Sequence, residues 1–256
     1  NILSELKERI ENLYSNWFIQ ELSLNFSKSL TDQKEWPISS LKQQNQFYYN
    51  HIRNLIDKDE RTFVIISDGF RYEAAKELNE QLQKEFKSPT KLMACQGSIP
   101  SETSLGMASL LPNEMINIDQ KCEEVRVDGM KSNSSKNREK ILNSNVDKSL
   151  VLNAKDLLQM TRDEMREVIF GTNLVYIYHD LIDTMGESHQ TEQKVFEAVN
   201  DTFEDLKSLI NSLKNNVSAS NIFITADHGF IYRKSKLEIS DKTDFTTKDS
   251  SKESKR

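Results

Sequence analysis

The stretch IISDGFRYE, Ile65 to Glu73, follows directly on Phe63 and Val64. Phe63, Val64, Ile65 and Ile66 make an uninterrupted, mostly β-branched apolar run, the pattern of a strand covered on both faces. The run ends, Asp68 follows, and Gly69 breaks the pattern. A lone carboxylate therefore stands at the carboxyl end of a buried strand, where open α/β sheets place their ligand sites.

Two later segments repeat the arrangement. NLVYIYH (173–179) reads as a strand whose end carries His179, Asp180 and Asp183, and NIFIT (221–225) as a strand followed by Asp227 and His228. A buried carboxylate costs several kcal/mol unless it is paired or bound to a metal. In a parallel sheet the carboxyl ends of neighbouring strands share one edge, so residues far apart in sequence can meet there. Asp and neutral His suit Zn²⁺, Mn²⁺ or a related divalent ion. A plainer reading stands beside this one: an Asp after a strand can cap a helix, and DHG can form a turn with Gly229 at positive φ.

The remaining pattern fits the same fold. KLMAC (91–95), EEVRV (123–127) and SLVLN (149–153) read as further strands. Helical spacing predicts helices over 1–30, 38–56, 72–86, 104–111, 134–143, 157–170 and 191–213, the last starting at Thr191. Strands alternating with helices predict an α/β fold with a mostly parallel central sheet flanked by helices. We expect an N-terminal helical segment over residues 1–58, the α/β domain over 59–233, and a charged loop or disordered tail over 234–256. The stripe Tyr14, Trp17, Phe18 reads as core or interface, and His51 as structural.

A different signal lies in QGSIPSETSLGMASLLP (96–112). Gly97 and Pro100 force a loop, and Ser101, Glu102, Thr103 and Ser104 fall at the start of a helix. Backbone N–H groups there favour an anion such as phosphate, and a metal-activated hydroxyl could attack it. The alternative is a Ser or Thr that only caps the helix.

Composition narrows the class. With 36% hydrophobic and 29% charged residues, the 256-residue chain can build a core with well-solvated surfaces. The net charge of −6 gives no support to a nonspecific nucleic-acid coat. Two cysteines, Cys95 and Cys122, make no disulfide framework and point to a reducing, cytoplasmic compartment. No apolar run approaches a membrane span. The start at Asn1 and the end at SKESKR read as those of a fragment.

In order along the chain, ISDGFRYE, SIPSETSLGMASLLP, YIYHDLIDTMGE and ITADHGFIY resemble the motifs of the PglZ family, and the resemblance covers about residues 10–233. PglZ proteins belong to the BREX and Pgl phage-defence systems and are grouped with the alkaline phosphatase superfamily. The resemblance implies a parallel-sheet fold and two-metal phosphoryl transfer, with zinc, manganese or magnesium as cofactor. It implies Asp68, Thr103, Asp227 and His228 at one metal, with Thr103 as nucleophile. It implies Asp183 and Glu187 at a second, where phosphodiesterase relatives carry a His in place of Glu187; His189 is the substitute for it. The superfamily's last second-site His lies past the ADHG motif, and no His follows His228 here. Arg71 matches a phosphate clamp, with an ion pair to Glu73 or Glu77 as the alternative. His179 is expected to support the site from below. The resemblance also implies other BREX proteins, including a DNA methyltransferase, as partners and a phosphodiester or nucleotide-like substrate. A catalytically degenerate scaffold in the same complex is the alternative.

Overall fold

The structure, a computed structural model, describes residues 2–32, 37–86, 89–119, 124–187 and 194–232. The side chains of Asp119 and Glu187 lie outside the described residues, as do Cys122, His189, the expected helix start at Thr191 and the tail 234–256. The chain divides into two compact units. One contains Asn1–Ser40 and Ile231–Lys255, the other Leu41–Phe230.

In the first unit, α1 (Ile2–Leu13) continues through a π-helical turn, Tyr14–Ile19, into α2 (Gln20–Asp32). Tyr14 and Phe18 stack with ring centroids 6.0 Å apart, as their i, i+4 spacing on a helix allows.

The second unit opens with β1 (Lys42–Gln43), a 3₁₀ turn at Gln44–Gln46, a π-helical turn at Tyr48–Ile52 and α3 (Arg53–Ile56). The single helix expected over 38–56 is thus broken. Lys42 and Gln43 pair in parallel with Cys95 and Gln96, which form β3, so a tertiary contact overrides local helical spacing. Between them lie β2 (Thr62–Ser67) and α4 (Tyr72–Glu85); after them come α5 (Thr103–Ser109), β4 (Ile116–Asp119), β5 (Glu124–Val127), β6 (Met130–Lys131) and α6 (Ser135–Asn145). The chain continues through β7 (Ser149–Asn153), α7 (Ala154–Gln159), α8 (Arg162–Ile169), β8 (Leu174–His179), α9 (Leu181–Glu187), α10 (Val195–Val217) and β9 (Asn221–Thr225). The helix expected over 157–170 is two helices: Thr161 forms a capping box with Glu164 and restarts the chain as α8.

The central sheet is parallel, in the order β7-β8-β2-β9. KLMAC does not join it: only Cys95–Gln96 is extended, in the separate β1-β3 pair. β4, β5 and β6 form an antiparallel three-stranded sheet. Every residue of β2 and β8 is buried. On one face Val64, Ile66, Tyr176 and Tyr178 pack with Leu105 and Ala108 of α5, Val125 and Val127 of β5, and Ile141 and Leu142 of α6. Alternation turns Phe63, Ile65, Val175 and Ile177 to the opposite face. There α10, with Leu206, Leu209 and Leu213 buried, packs against α4, α7, α8 and α9. No helix among the described residues is long and apolar enough to cross a membrane.

Candidate metal centre

The parallel register brings the strand ends level. Ser67 of β2 sits opposite His179 of β8, and Ile66 opposite Thr225 of β9. Asp68, the start of α9 and the Ala226–His228 segment therefore leave the sheet side by side. Ligand atoms of Asp68, Asp183 and His228 lie within 4.8 Å of one another. Asp183, which the resemblance assigns to the second metal, reaches this cluster because α9 begins two residues after β8 ends beside β2.

His228 is the hub. Its Nε2 lies 2.9 Å from Thr103 Oγ1, 3.3 Å from Asp68 Oδ1 and 3.5 Å from Asp227 Oδ2. Its Nδ1 faces the Gly229 carbonyl at 3.0 Å and can only donate to it. In the neutral ring that donation leaves the Nε2 lone pair facing the carboxylates, the arrangement of a metal-ligating imidazole held by a carbonyl.

The alternative cap and turn readings fail here. The N-cap of α4 is Arg71, not Asp68. The N-cap of α5 is Glu102, without a side-chain cap bond, so the Thr103 hydroxyl is not a cap; it goes to His228. Gly69, at φ +69°, makes the left-handed turn after Asp68, whereas Gly229 is not at positive φ. The Gly69 N–H donates to Asp227 Oδ1 at 3.2 Å, and the His228 N–H donates to the same oxygen at 2.8 Å.

This cluster holds more negative charge than its hydrogen bonds satisfy. Asp68 and Asp227 are buried, and apart from the His228 ring at 3.3 and 3.5 Å, Asp68 Oδ1 and Asp227 Oδ2 have no hydrogen-bond partner among the described residues. Burial, and then the neighbouring Asp68 charge, push the Asp227 carboxyl up to about 7. A hydrogen bond to Asp68 is the main cause that raises His228 to about 9. The imidazole proton thus supplies positive charge that the carboxylates lack. Two buried carboxylate oxygens that share one imidazole, the Asp183 carboxylate, and a His228 Nε2 that would give up its proton to a metal fit a divalent cation.

Other residues brace the centre. His179 Nδ1 lies 3.2 Å from Ser67 Oγ, and its Nε2 3.2 Å from Asp205 Oδ2 on α10, so it ties the residue before Asp68 to the helix layer. Arg71 pairs with Glu73, lies 4.7 Å over the Phe230 ring and donates to the Phe230 carbonyl at 3.4 Å. Ser67, Asp205, Gln44 and Gly106 were not apparent as site residues in the sequence. A Cβ on Gly106 would fall 2.3 Å from the Asp227 carbonyl oxygen, so α5 touches the Asp227 backbone through that glycine. A glycine inside a helix, disfavoured by about 1 kcal/mol, was the available signal. Asp205 offered none.

A family model described as the BREX system PglZ alkaline phosphatase-like domain matches residues 47–256. The alkaline phosphatase-like protein PglZ of Bacillus cereus (strain H3081.97) is 45% identical over 239 residues, which is 93% of this chain and 28% of that protein. The alkaline phosphatase-like protein BrxZ of Escherichia coli O9:H4 (strain HS) is 37% identical over 248 residues, 94% of this chain and 28% of that protein. The chain therefore spans a little over a quarter of the length of these relatives. Its parallel sheet, its strand-end cluster and this match along most of its length agree: the chain belongs to the PglZ family of alkaline phosphatase-like proteins.

Proposed function

We propose that this chain carries the metal and nucleophile site of a phosphoryl-transfer enzyme, a phosphodiesterase or phosphatase, in a BREX-type defence system. One observation carries the reading: the Thr103 hydroxyl lies 2.9 Å from Nε2 of His228, which clusters with the carboxylates of Asp68 and Asp183. Asp68, Asp183, Asp227 and His228 would hold a divalent cation, zinc, manganese or magnesium, with Glu187 at a second one. Such a cation lowers the pKa of a nearby hydroxyl and neutralises phosphate charge.

The chain's own groups do the rest. α5 presents Oγ1 of Thr103 at the edge of the sheet, held by the packing of Gly106 on Asp227. In attack, the Oγ1–P bond forms, the ester O–P bond breaks, and the Thr103 proton ends on the leaving oxygen. Water then cleaves the phosphothreonine, returning the hydroxyl and releasing phosphate or a phosphomonoester. Arg71 would exchange Glu73, whose side chain is mostly exposed, for a phosphate oxygen pair. The substrate class that fits a defence setting is a phosphodiester or nucleotide-like molecule, with other BREX proteins, among them a DNA methyltransferase, as partners.

The test is nitrophenol release from bis-nitrophenyl phosphate with Zn²⁺ or Mn²⁺, on the longest form of the protein. Metal-dependent turnover is expected for the wild type and its loss in Thr103→Ala and in Asp227→Ala. Turnover that persists in Thr103→Ala would refute the nucleophile. No turnover together with no bound metal would leave a scaffold as the function.

A further inference from the structure

Gln44 is buried in the 3₁₀ turn that follows β1. Its carboxamide is satisfied by backbone alone. Oε1 accepts the Ser98 N–H at 3.1 Å, while Nε2 donates to the Ala226 carbonyl at 3.0 Å and to the Asp227 carbonyl at 2.5 Å. These partners are 54 and up to 183 residues away in sequence. The orientation of the amide follows from them: two carbonyls must face the NH₂ and the single N–H must face the oxygen.

The three contacts join the two segments that the centre needs. Ser98 belongs to the loop that leads to Thr103, and its Oγ also meets Ser109 Oγ at the far end of α5 at 2.7 Å. Ala226 and Asp227 form the turn that presents His228. The parallel pairing of β1 with β3, Gln43 opposite Gln96, sets Gln44 beside Ser98. On its other side the Asp227 carbonyl meets Gly106. The Asp227 backbone is thus gripped between the Gln44 amide and α5.

We propose that Gln44 is a positioning residue that locks the Thr103 loop and the Asp227–His228 turn to one another; the consequence for cation binding rests on the functional reading above. Gln is the residue type this role requires. Glu would turn a carboxylate oxygen toward two carbonyls, and Met would fill the space with no donor or acceptor, leaving one buried and two part-buried backbone groups without this partner. If Gln44 served only to fill volume, Met would replace it without effect.

Hydrogen exchange measured by mass spectrometry separates these cases, because it needs neither metal nor substrate. In Gln44→Met, amide exchange is expected to rise at least about tenfold in the 97–104 loop and in 226–229, and to stay unchanged in β2 and β8. Gln44→Glu keeps the acceptor for Ser98 and loses both donor bonds, so 226–229 is expected to open while Ser98 stays protected. This variant also serves if Gln44→Met does not fold. Wild-type exchange in both segments of either variant would overturn the proposal. A parallel Mn²⁺ titration is expected to show affinity lower by roughly ten- to a hundredfold in Gln44→Met, the range for loss of groups that orient ligands. If the wild type binds no Mn²⁺ while Gln44→Met still opens both segments and Gln44→Glu opens 226–229, the metal reading falls and the role of Gln44 stands. If Mn²⁺ binds the wild type and Gln44→Met equally, with equal exchange, the role of Gln44 falls and the metal reading stands.

Discussion

At the residue scale, the centre depends on contacts too close for any side chain to intrude. Gly106 shows this most sharply. Ala in place of Gly at a helix position ordinarily stabilises by about 0.5–1 kcal/mol. Here the added carbon would lie 2.3 Å from the Asp227 carbonyl oxygen and 2.7 Å from its carbon, and both are backbone atoms that cannot rotate away. The collision outweighs the propensity, so Gly106→Ala is expected to destabilise by about 1–3 kcal/mol, read from urea unfolding. A stabilised Gly106→Ala would show that α5 and Asp227 are not in this contact. Asp68, Asp227 and His228 were legible as candidates because their residue types announce chemistry at the ends of apolar runs, whereas Thr103, at a helix start, was singled out by the resemblance. Gln44 and Gly106 were not, because they act on backbone atoms. Nothing local marks a Gln whose partners are a loop 54 residues away and a turn 183 residues away.

At the scale of elements, strands whose side chains are covered on both faces were the readable part. β2 and β8 coincide with their apolar runs because a strand buried in a parallel sheet has no polar face to disguise it; β9, a half-buried edge strand, was legible from Ile222, Phe223 and Ile224 alone. The misreadings have one cause: short apolar runs carry a period but not a partner. KLMAC has the composition of a central strand, yet only Cys95 and Gln96 are extended, pairing with Lys42 and Gln43; that same pairing interrupts the helix expected over 38–56. The helix layer that supports the sheet from the side of α10 makes its own prediction. Leu206 is fully buried on α10, one residue after the Asp205 that contacts His179. Leu206→Ala is expected to cost about 2–5 kcal/mol through lost burial and the cavity left behind, seen as a lower urea midpoint with an unchanged slope. A loss below about 1 kcal/mol would mean that α10 is not packed on this core.

At the scale of the molecule, three strands of the four-stranded parallel sheet, β2, β8 and β9, gather Asp68, Asp183, Asp227 and His228 from segments up to 160 positions apart onto one edge. Two buried carboxylates that share a single imidazole are an expensive arrangement for a protein to keep without a cation. Belonging to the PglZ family, the chain shares this alkaline phosphatase-like frame with relatives of which it spans 28%. The most direct test of the account is a calorimetric titration of the protein with Zn²⁺ and with Mn²⁺, in the wild type and in Asp68→Asn. The account predicts saturable binding in the wild type that Asp68→Asn weakens at least about tenfold, or about 1.4 kcal/mol, without loss of the folded state. Equal binding in the two proteins, or none in the wild type, would contradict it.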